Sequence, residues 1–394
     1  MRILFLTHRL PYAPNRGDRV RAYHLLRVLS ARAEVDLLSL VHDADEASHA
    51  GDLASMAASV TTVAVPRYRN LLRTALFFPT SRPATHTMLD APDLSSAVAT
   101  LARRSPDAVL AYCSGMARCA LQPALRDRPM VLDMVDVDSA KWAAMAATHA
   151  APLSWVYARE ARVLPPFEAT AAAHAAATLV VTHKERQTMA AIAPAARVEV
   201  VPNGVEADRL RPSTAPTGEP LVVFCGVMNY EPNRDAVIWF ARDVWPLVVA
   251  KRPAARFDII GMNPPRAVLQ LAEVPGIRVV GAVTDVAPHL WKAAVSVAPL
   301  HTARGIQNKV LEAIAAGLPT VVTPIVAEGL PDLVLPAVRI EGQSQAFAEA
   351  VLALLAKTPE ERRALALSVD FGLLSWDRTL APVHEILATA ASRG

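Results

Sequence analysis

Cysteine is scarce in this chain: Cys113, Cys119 and Cys225 are the only three in 394 residues. No two form a C-x-x-C pair and the number is odd. A disulfide framework and a dithiol redox motif are therefore not expected; reduced thiols in a cytoplasmic compartment are. Long apolar runs are missing too. No stretch reaches membrane-spanning length without Gly, Pro or a charge. The Ala-rich run 169–181 comes nearest and reads as a helix tail entering a strand. The opening MRILFLTHRLP has too short an apolar run for a signal peptide and lacks a small-residue cleavage site. Excess charge is also absent: 40 Lys+Arg against 37 Asp+Glu leaves a net charge of +3. Nothing global argues for nucleic acid, so a basic partner site must be local. Two glycine signatures are missing as well, the dinucleotide G-x-G-x-x-G and the phosphate loop G-x-x-x-x-G-K-[ST]. A hydride-transfer enzyme is disfavoured on that ground.

What is present is a folded composition, 53% hydrophobic and 20% charged, on a chain too long for one ordinary core. Short β-branched runs alternate with polar turns and helical stretches. The runs are RILFLTH, VDLLSLVH, SVTTVAVP, DAVLAYC, MVLDMVD, TLVVTH and VEVVPNG, then LVVFCGV, RFDIIG, IRVVGAV, VSVAPL and PTVVTP. Nearly unbroken apolar strands between helices imply parallel sheets covered on both faces. The fold class is α/β, doubly wound and Rossmann-like, twice over. Pro, Gly, Ser and Thr cluster in NGVEADRLRPSTAPTGEP, where periodicity lapses. The expected division is a first domain at 1–202, a linker at 203–219 and a second domain at 220–375. The tail 376–394 has apolar positions at helical spacing (Leu380, Val383, Ile386, Leu387) and needs a surface to cover.

In open α/β sheets ligands sit beyond the carboxyl ends of the strands, so the loops there are the places for chemistry. The first, THRLPYAPNRGDRVRAYHLL, gathers His8, Arg9, Arg16 and Arg19 around Gly17 and Asp18. Asp18 is an ordinary first-turn acid, but capping does not explain the arginines, and a ligand contact is favoured for Gly17 and its neighbours. In VLDMVDVDSAKW, Asp133, Asp136 and Asp138 precede Lys141 and Trp142. Metal binding, helix capping by Asp138 or Ser139, and an acceptor pocket that binds hydroxyls or takes a proton are three readings. Capping is favoured for Ser139 and a pocket for Asp136 and Asp138. Metal ranks last, because no His or further acid stands at helical spacing. Asn203-Gly204 is a turn signal, adequate as a plain turn. In VFCGVMNYEPNRDAVIWF, Gly226 permits close backbone approach. Arg234 stands at a helix start, where an anion would meet free N–H groups and a guanidinium together; a solvated surface arginine is the alternative. Finally, RYRNLLRTALFFP (67–79) interleaves Arg67, Arg69 and Arg73 with Leu71, Leu72, Leu76, Phe77 and Phe78. Such a helix can lie on anionic lipid, or its apolar face can join a core.

Taken together, the first loop, VDVDSAKW, VVPNGVE, VFCGVMNYEPN and ARGIQNKVLEA resemble, in order along nearly the whole chain, retaining glycosyltransferases of the GT-B fold, glycosyltransferase family 4. Within it they look like the sugar transferases of exosortase-associated exopolysaccharide clusters. The resemblance implies two facing Rossmann-like domains, with a nucleoside-diphosphate sugar held by the carboxy-terminal one, a saccharide or lipid-linked acceptor by the other, and a last helix that crosses back. It implies no cofactor and no bound metal. Donor contacts would come from Gly226, Met228, Asn229, Arg304, Gly305, Ile306, Gln307, Asn308, Val310 and Glu328. The acceptor side would use His8, Arg9, Arg16, Gly17, Asp18, Asp136, Lys141 and Asn203. Lys309, Glu312, Arg234 and Asp138 are the expected catalytic set.

The family carries a pair of glutamates here. Glu312 matches the second, expected on the donor ribose; Arg304 stands where the first would be, so a role copied from that acid does not transfer. Instead Arg304 and Lys309 are cations at a helix start, which the dipole disfavours unless an anion binds. Departure of a sugar's diphosphate builds negative charge, which positioned cations and helix N–H groups stabilise. A same-fold nucleotide-sugar epimerase and a non-catalytic nucleotide-sugar binder are the alternatives to transfer.

Overall fold

The computed structural model describes residues 1–12, 17–303 and 305–393, with the backbone alone for Gly17 and Asp18. Arg16 and Arg304 therefore lie outside the described residues. The apolar runs become strands; the inner ones, such as Ala108–Tyr112, Ala177–Val180 and Val295–Ala298, are buried on both faces, while Ser59–Ala64 and Ile277–Gly281, at the sheet edges, are partly exposed. In the first part these are β1 (Arg2–Thr7), β2 (Glu34–Val41), β3 (Ser59–Ala64), β4 (Ala108–Tyr112), β5 (Met130–Val135), β6 (Ala177–Val180) and β7 (Val198–Val200). The second part has β8 (Leu221–Cys225), β9 (Arg256–Ile260), β10 (Ile277–Gly281), β11 (Val295–Ala298), β12 (Thr320–Val322) and β13 (Val338–Ile340). All twelve predicted runs form strands; β13 is an additional one.

Every pairing is parallel. The first sheet has the order β3-β2-β1-β4-β5-β6-β7 and the second β10-β9-β8-β11-β12-β13. Each order reverses once, between β1 and β4 and between β8 and β11. At such a switch point the crossover helices leave to opposite faces and a crevice opens beyond the strand ends. The loops after β1, β4, β8 and β11 are thus placed for ligands by topology.

The chain divides into two compact units, Met1–Asn203 with Thr379–Gly394, and Gly204–Arg378. The final helix, Trp376–Ala391, begins in the second unit and ends in the first. Its Leu380, Val383 and Leu387 are fully buried, which is the surface the tail's periodicity called for. The 203–219 stretch is not featureless. It holds a short helix, Ala207–Leu210, and Val205 bridges to Ser375.

Leu4, Leu6, Leu38, Val109 and Leu132 lead the core of the first unit. Aromatic rings fill the second: Phe240 and Trp245 lie 4.6 and 5.8 Å from Phe257. Among the described residues no helix is long and apolar enough to cross a membrane.

Candidate active site

In the second unit the site grows from the end of β8. Gly226 N–H donates to the Ile260 carbonyl (3.0 Å), tying this end to that of β9. A methyl group on Gly226 would stand 2.8 Å from Asn233 Nδ2. The glycine therefore makes room for Asn233, which begins the buried stripe of the helix Glu231–Trp239 with Ala236 and Val237. Asn233 Nδ2 donates to the Val227 carbonyl (3.0 Å), and its Oδ1 accepts from Lys309 Nζ. That ammonium also lies 4.9 Å from the centre of the Phe224 ring, a cation–π contact. Lys309 is thus aimed by two residues, neither of which the sequence reading singled out. A signal existed: Asn233 is a polar residue at helical spacing with a buried apolar stripe.

Lys309 is carried by the helix Asn308–Ala315, which enters after the loop that follows β11. Val310, Leu311, Ala313, Ile314 and Ala315 are buried and anchor it. It stops because Gly317, at φ +83°, turns the chain left-handed, and Leu318 N–H returns to the Ala313 carbonyl. At the other end no side chain caps it and no acid lies in its first turn. The positive end of the helix dipole is left for an anion.

Burial lowers the Lys309 ammonium from 10.5 to about 8, against the pull of Cys225 and Glu312. Burial likewise raises Glu312 from 4.5 to about 7, with Arg209 and Lys309 drawing it down and Glu206 pushing it up. Arg209 is itself held by Glu206 (3.2 Å) and Asp285 (2.8 Å). The neighbouring Cys225 thiol is pushed up to about 12 by burial and is inert.

The other residues expected on the donor side lie in the segments that follow β8, β11 and β12. Gly305 has φ +59°, and a side chain on Gly329 would overlap the Gly305 carbonyl. The close backbone approach at Gly305 is thus to another loop of the same unit, the one that also carries Glu328. Gln307 is the cap residue of the helix and Asn308 its first; both are half-buried, and Ile306 is buried. Met228 and Val310 are fully buried, and Met228 N–H donates to the Met262 carbonyl (2.9 Å). Asn229 is exposed in the turn. Arg234 is turned onto its own helix, where it bonds Glu231 (2.7 Å) and Asp235 (2.8 Å).

In the first unit the basic loop is organised by an acid outside it. Buried Glu46 stands near both Arg9 (3.6 Å) and Arg19 (3.4 Å), and accepts from the N–H groups of Leu10 and His42. The His8 ring stacks on Tyr112 at 5.8 Å. Gly17 and Asp18 open the helix Gly17–Ser30. From that helix the buried Arg21 bonds Asp133 (2.9 Å) and donates to Asn203 Oδ1 (3.0 Å). Asn203 is therefore more than a turn residue: it holds the guanidinium.

Ser139 corrects an expectation. It is the second residue of the helix Asp138–Thr148, not its cap. Its N–H and hydroxyl both donate to Glu168, and Val137 N–H donates to Glu185. Two buried carboxylates from other helices replace a local cap. Asp138 accepts from Ser114 Oγ (2.6 Å); burial raises its carboxyl, with Ser114 and Lys141 opposing. Asp136 and Lys141 are half-buried beside it in sequence. Asp133 is bound to Arg21 and Asp138 to Ser114. Among the described residues no three His, Cys, Asp or Glu side chains gather as a metal site.

The alternative that the 67–79 stretch turns its apolar face to a core is also overturned. In the helix Arg67–Phe77 the buried residue is Asn70, while Tyr68, Leu71, Leu72 and Leu76 are exposed.

Residues 219–357 match the model of the family described as glycosyl transferases group 1. No curated protein matches the chain by sequence. Solved structures match over its full length. TarM aligns with a TM-score of 0.69 at 11% identity, covering 98% of each chain. HepE of Anabaena, in complex with UDP-glucose, aligns at 0.65 and 13% identity over 100% of both. WaaG, a glycosyltransferase involved in lipopolysaccharide biosynthesis, aligns at 0.62 and 18% identity over 99% of both. The chain has the GT-B fold, and the part of it that carries Lys309 and Glu312 bears the group 1 glycosyl transferase pattern.

Proposed function

We propose that this protein is a retaining, metal-independent glycosyltransferase that moves a sugar from a nucleoside-diphosphate sugar to a saccharide or lipid-linked acceptor, in exopolysaccharide or cell-surface glycan synthesis. It works in the cytoplasm, at the inner face of the membrane, with 67–79 toward that surface. The observation that carries the reading is the Lys309–Glu312 pair at the switch point of the second unit, beside an uncapped helix start. As the sugar C1–oxygen bond breaks, its electron pair goes to the diphosphate. Lys309 and the positive end of the helix Asn308–Ala315 meet that charge, together with Arg304. Glu312, a buried acid near Lys309, accepts from the ribose hydroxyls. The acceptor belongs to the first unit, where Asp138, its carboxyl raised by burial, is suited to receive the hydroxyl proton. UDP-glucose in HepE of Anabaena makes a uridine donor the first to try.

The test is a thermal-shift panel of UDP, GDP, ADP and dTDP sugars, followed by transfer from the stabilising donor to lipid-linked saccharide. Lys309→Ala should lower the transfer rate by about 2–4 kcal/mol in barrier, and Glu312→Ala should weaken donor binding. Sugar conversion without any acceptor would instead identify an epimerase. Nucleotide binding with no turnover on any pair would identify a binder.

A further inference from the structure

The helix Arg67–Phe77 sits on the first unit the opposite way round from a core helix. Tyr68, Leu72 and Leu76 are 86%, 75% and 74% exposed, with Leu71 beside them. At helical spacing these four and Ala75 form one outward stripe, with Arg67 on one edge and Arg69 and Arg73 on the other. The helix contains no acid. Apolar side chains gathered in this way mark a surface that is used. A second helix, Leu153–Val163, adds to it. Its Arg159 donates to the carbonyls of Phe78 (2.6 Å), Thr80 (2.6 Å) and Arg82 (2.9 Å), which directly follow the stripe. One turn earlier on that helix stands Trp155, 70% exposed.

A cavity of about 210 Å³ opens on the arginine edge, lined by Arg69, Asn70, Arg73 and Asp90 among others. Asp90 is neutralised by Arg73 (3.2 Å), Arg82 (2.6 Å) and Arg118. Asn70 is fully buried. Its Nδ2 donates to the carbonyls of Met88 (3.2 Å) and Asp90 (2.6 Å), which fixes the amide's orientation. Its Oδ1 has no partner among the described residues. Guanidinium donors suit a phosphate, and a buried orphan acceptor calls for a hydroxyl. A phosphodiester with a free hydroxyl, as in a phosphoglycerol headgroup, supplies both, and its acyl chains would continue along the leucine stripe.

We propose that the first unit docks on an anionic bilayer through this stripe, and that the Arg69–Asn70–Arg73 cavity takes a hydroxylated phosphodiester headgroup. The proposal rests on the membrane-surface reading of 67–79 and is independent of the sugar chemistry. Co-sedimentation of the full chain with vesicles tests it. Phosphatidylcholine alone is compared with mixtures containing phosphatidylglycerol or, at equal charge, phosphatidylserine. Binding should be tightest with phosphatidylglycerol, about fivefold weaker for Arg69→Gln, and lost for Leu72→Glu with Leu76→Glu. All three positions are exposed, so thermal stability should not change. Equal binding to the two anionic compositions overturns the headgroup site and leaves the anionic-bilayer reading standing; equal binding to all three overturns both. Binding to none of them overturns both. Self-association in sedimentation velocity that the glutamates abolish, without vesicle binding, makes the stripe a protein interface and likewise overturns the proposal.

Discussion

Lys309 and Glu312 are held away from their ordinary charge behaviour in opposite directions. Lys309, lowered to about 8, is a cation only below that pH. Glu312, raised to about 7, is a carboxylate only above its own value. In the free protein, Glu312 favours folding below about 4.5, and that contribution is lost as pH rises through about 7. The Lys309 contribution is present above about 10.5 and is lost as pH falls through about 8. On the proposed function, binding a nucleoside diphosphate needs both charged forms, one for the phosphates and one for the ribose. Its affinity should therefore peak between about 7 and 8, falling as Glu312 protonates below and as Lys309 deprotonates above. Asn233→Ala removes the acceptor that supports the ammonium and should move the alkaline limb lower, weakening binding at pH 8 by about 1–3 kcal/mol. Calorimetric titration across pH checks it. A flat profile, or an unmoved limb in the variant, would remove the pair from the donor site.

At the scale of elements, the sequence was legible where burial and period agree. Twelve apolar runs became strands, but β13 was not seen. It has three residues, and Arg339 and Ile340 on it are exposed, so neither alternation nor an apolar run marks it. Helix ends were less legible. The Ser139 cap was read from local chemistry, yet the amides go to Glu168 and Glu185, which are distant in sequence. The arginines of the first loop were legible, but Glu46, which gathers two of them, sits on another helix. The same is true of Arg21, which joins the helix Gly17–Ser30 to the ends of β5 and β7 through Asp133 and Asn203. Removing one partner of a buried ion pair leaves the other unpaired and costs about 3–5 kcal/mol. Asp133→Ala should thus lower the melting temperature of the first unit by on the order of 10 °C. Arg21→Met with Asp133→Leu, which removes both charges, should recover most of that loss. Differential scanning calorimetry separates the outcomes. If the double variant melts no higher than the single one, packing at Arg21, not charge, holds these elements.

For the whole molecule, the tail is the feature that ties chain order to stability. Residues 379–394 follow the second unit in sequence but belong to the first. Leu380, Val383 and Leu387 are fully buried, and each such side chain contributes about 1.5–3 kcal/mol by burial. Three of them amount to a large fraction of a domain's total stability. Truncation after Arg378 should therefore collapse hydrogen-exchange protection in β1–β7 while β8–β13 stay protected. The second unit contains every described donor-side residue, so the stabilising nucleotide of the panel should still raise its protection. At a hundredfold excess over the dissociation constant the gain should be about 2.7 kcal/mol. Loss of protection in β8–β13 first would mean that the second unit needs the tail. Loss of the nucleotide effect with β8–β13 intact would mean that the donor is held by residues outside the second unit.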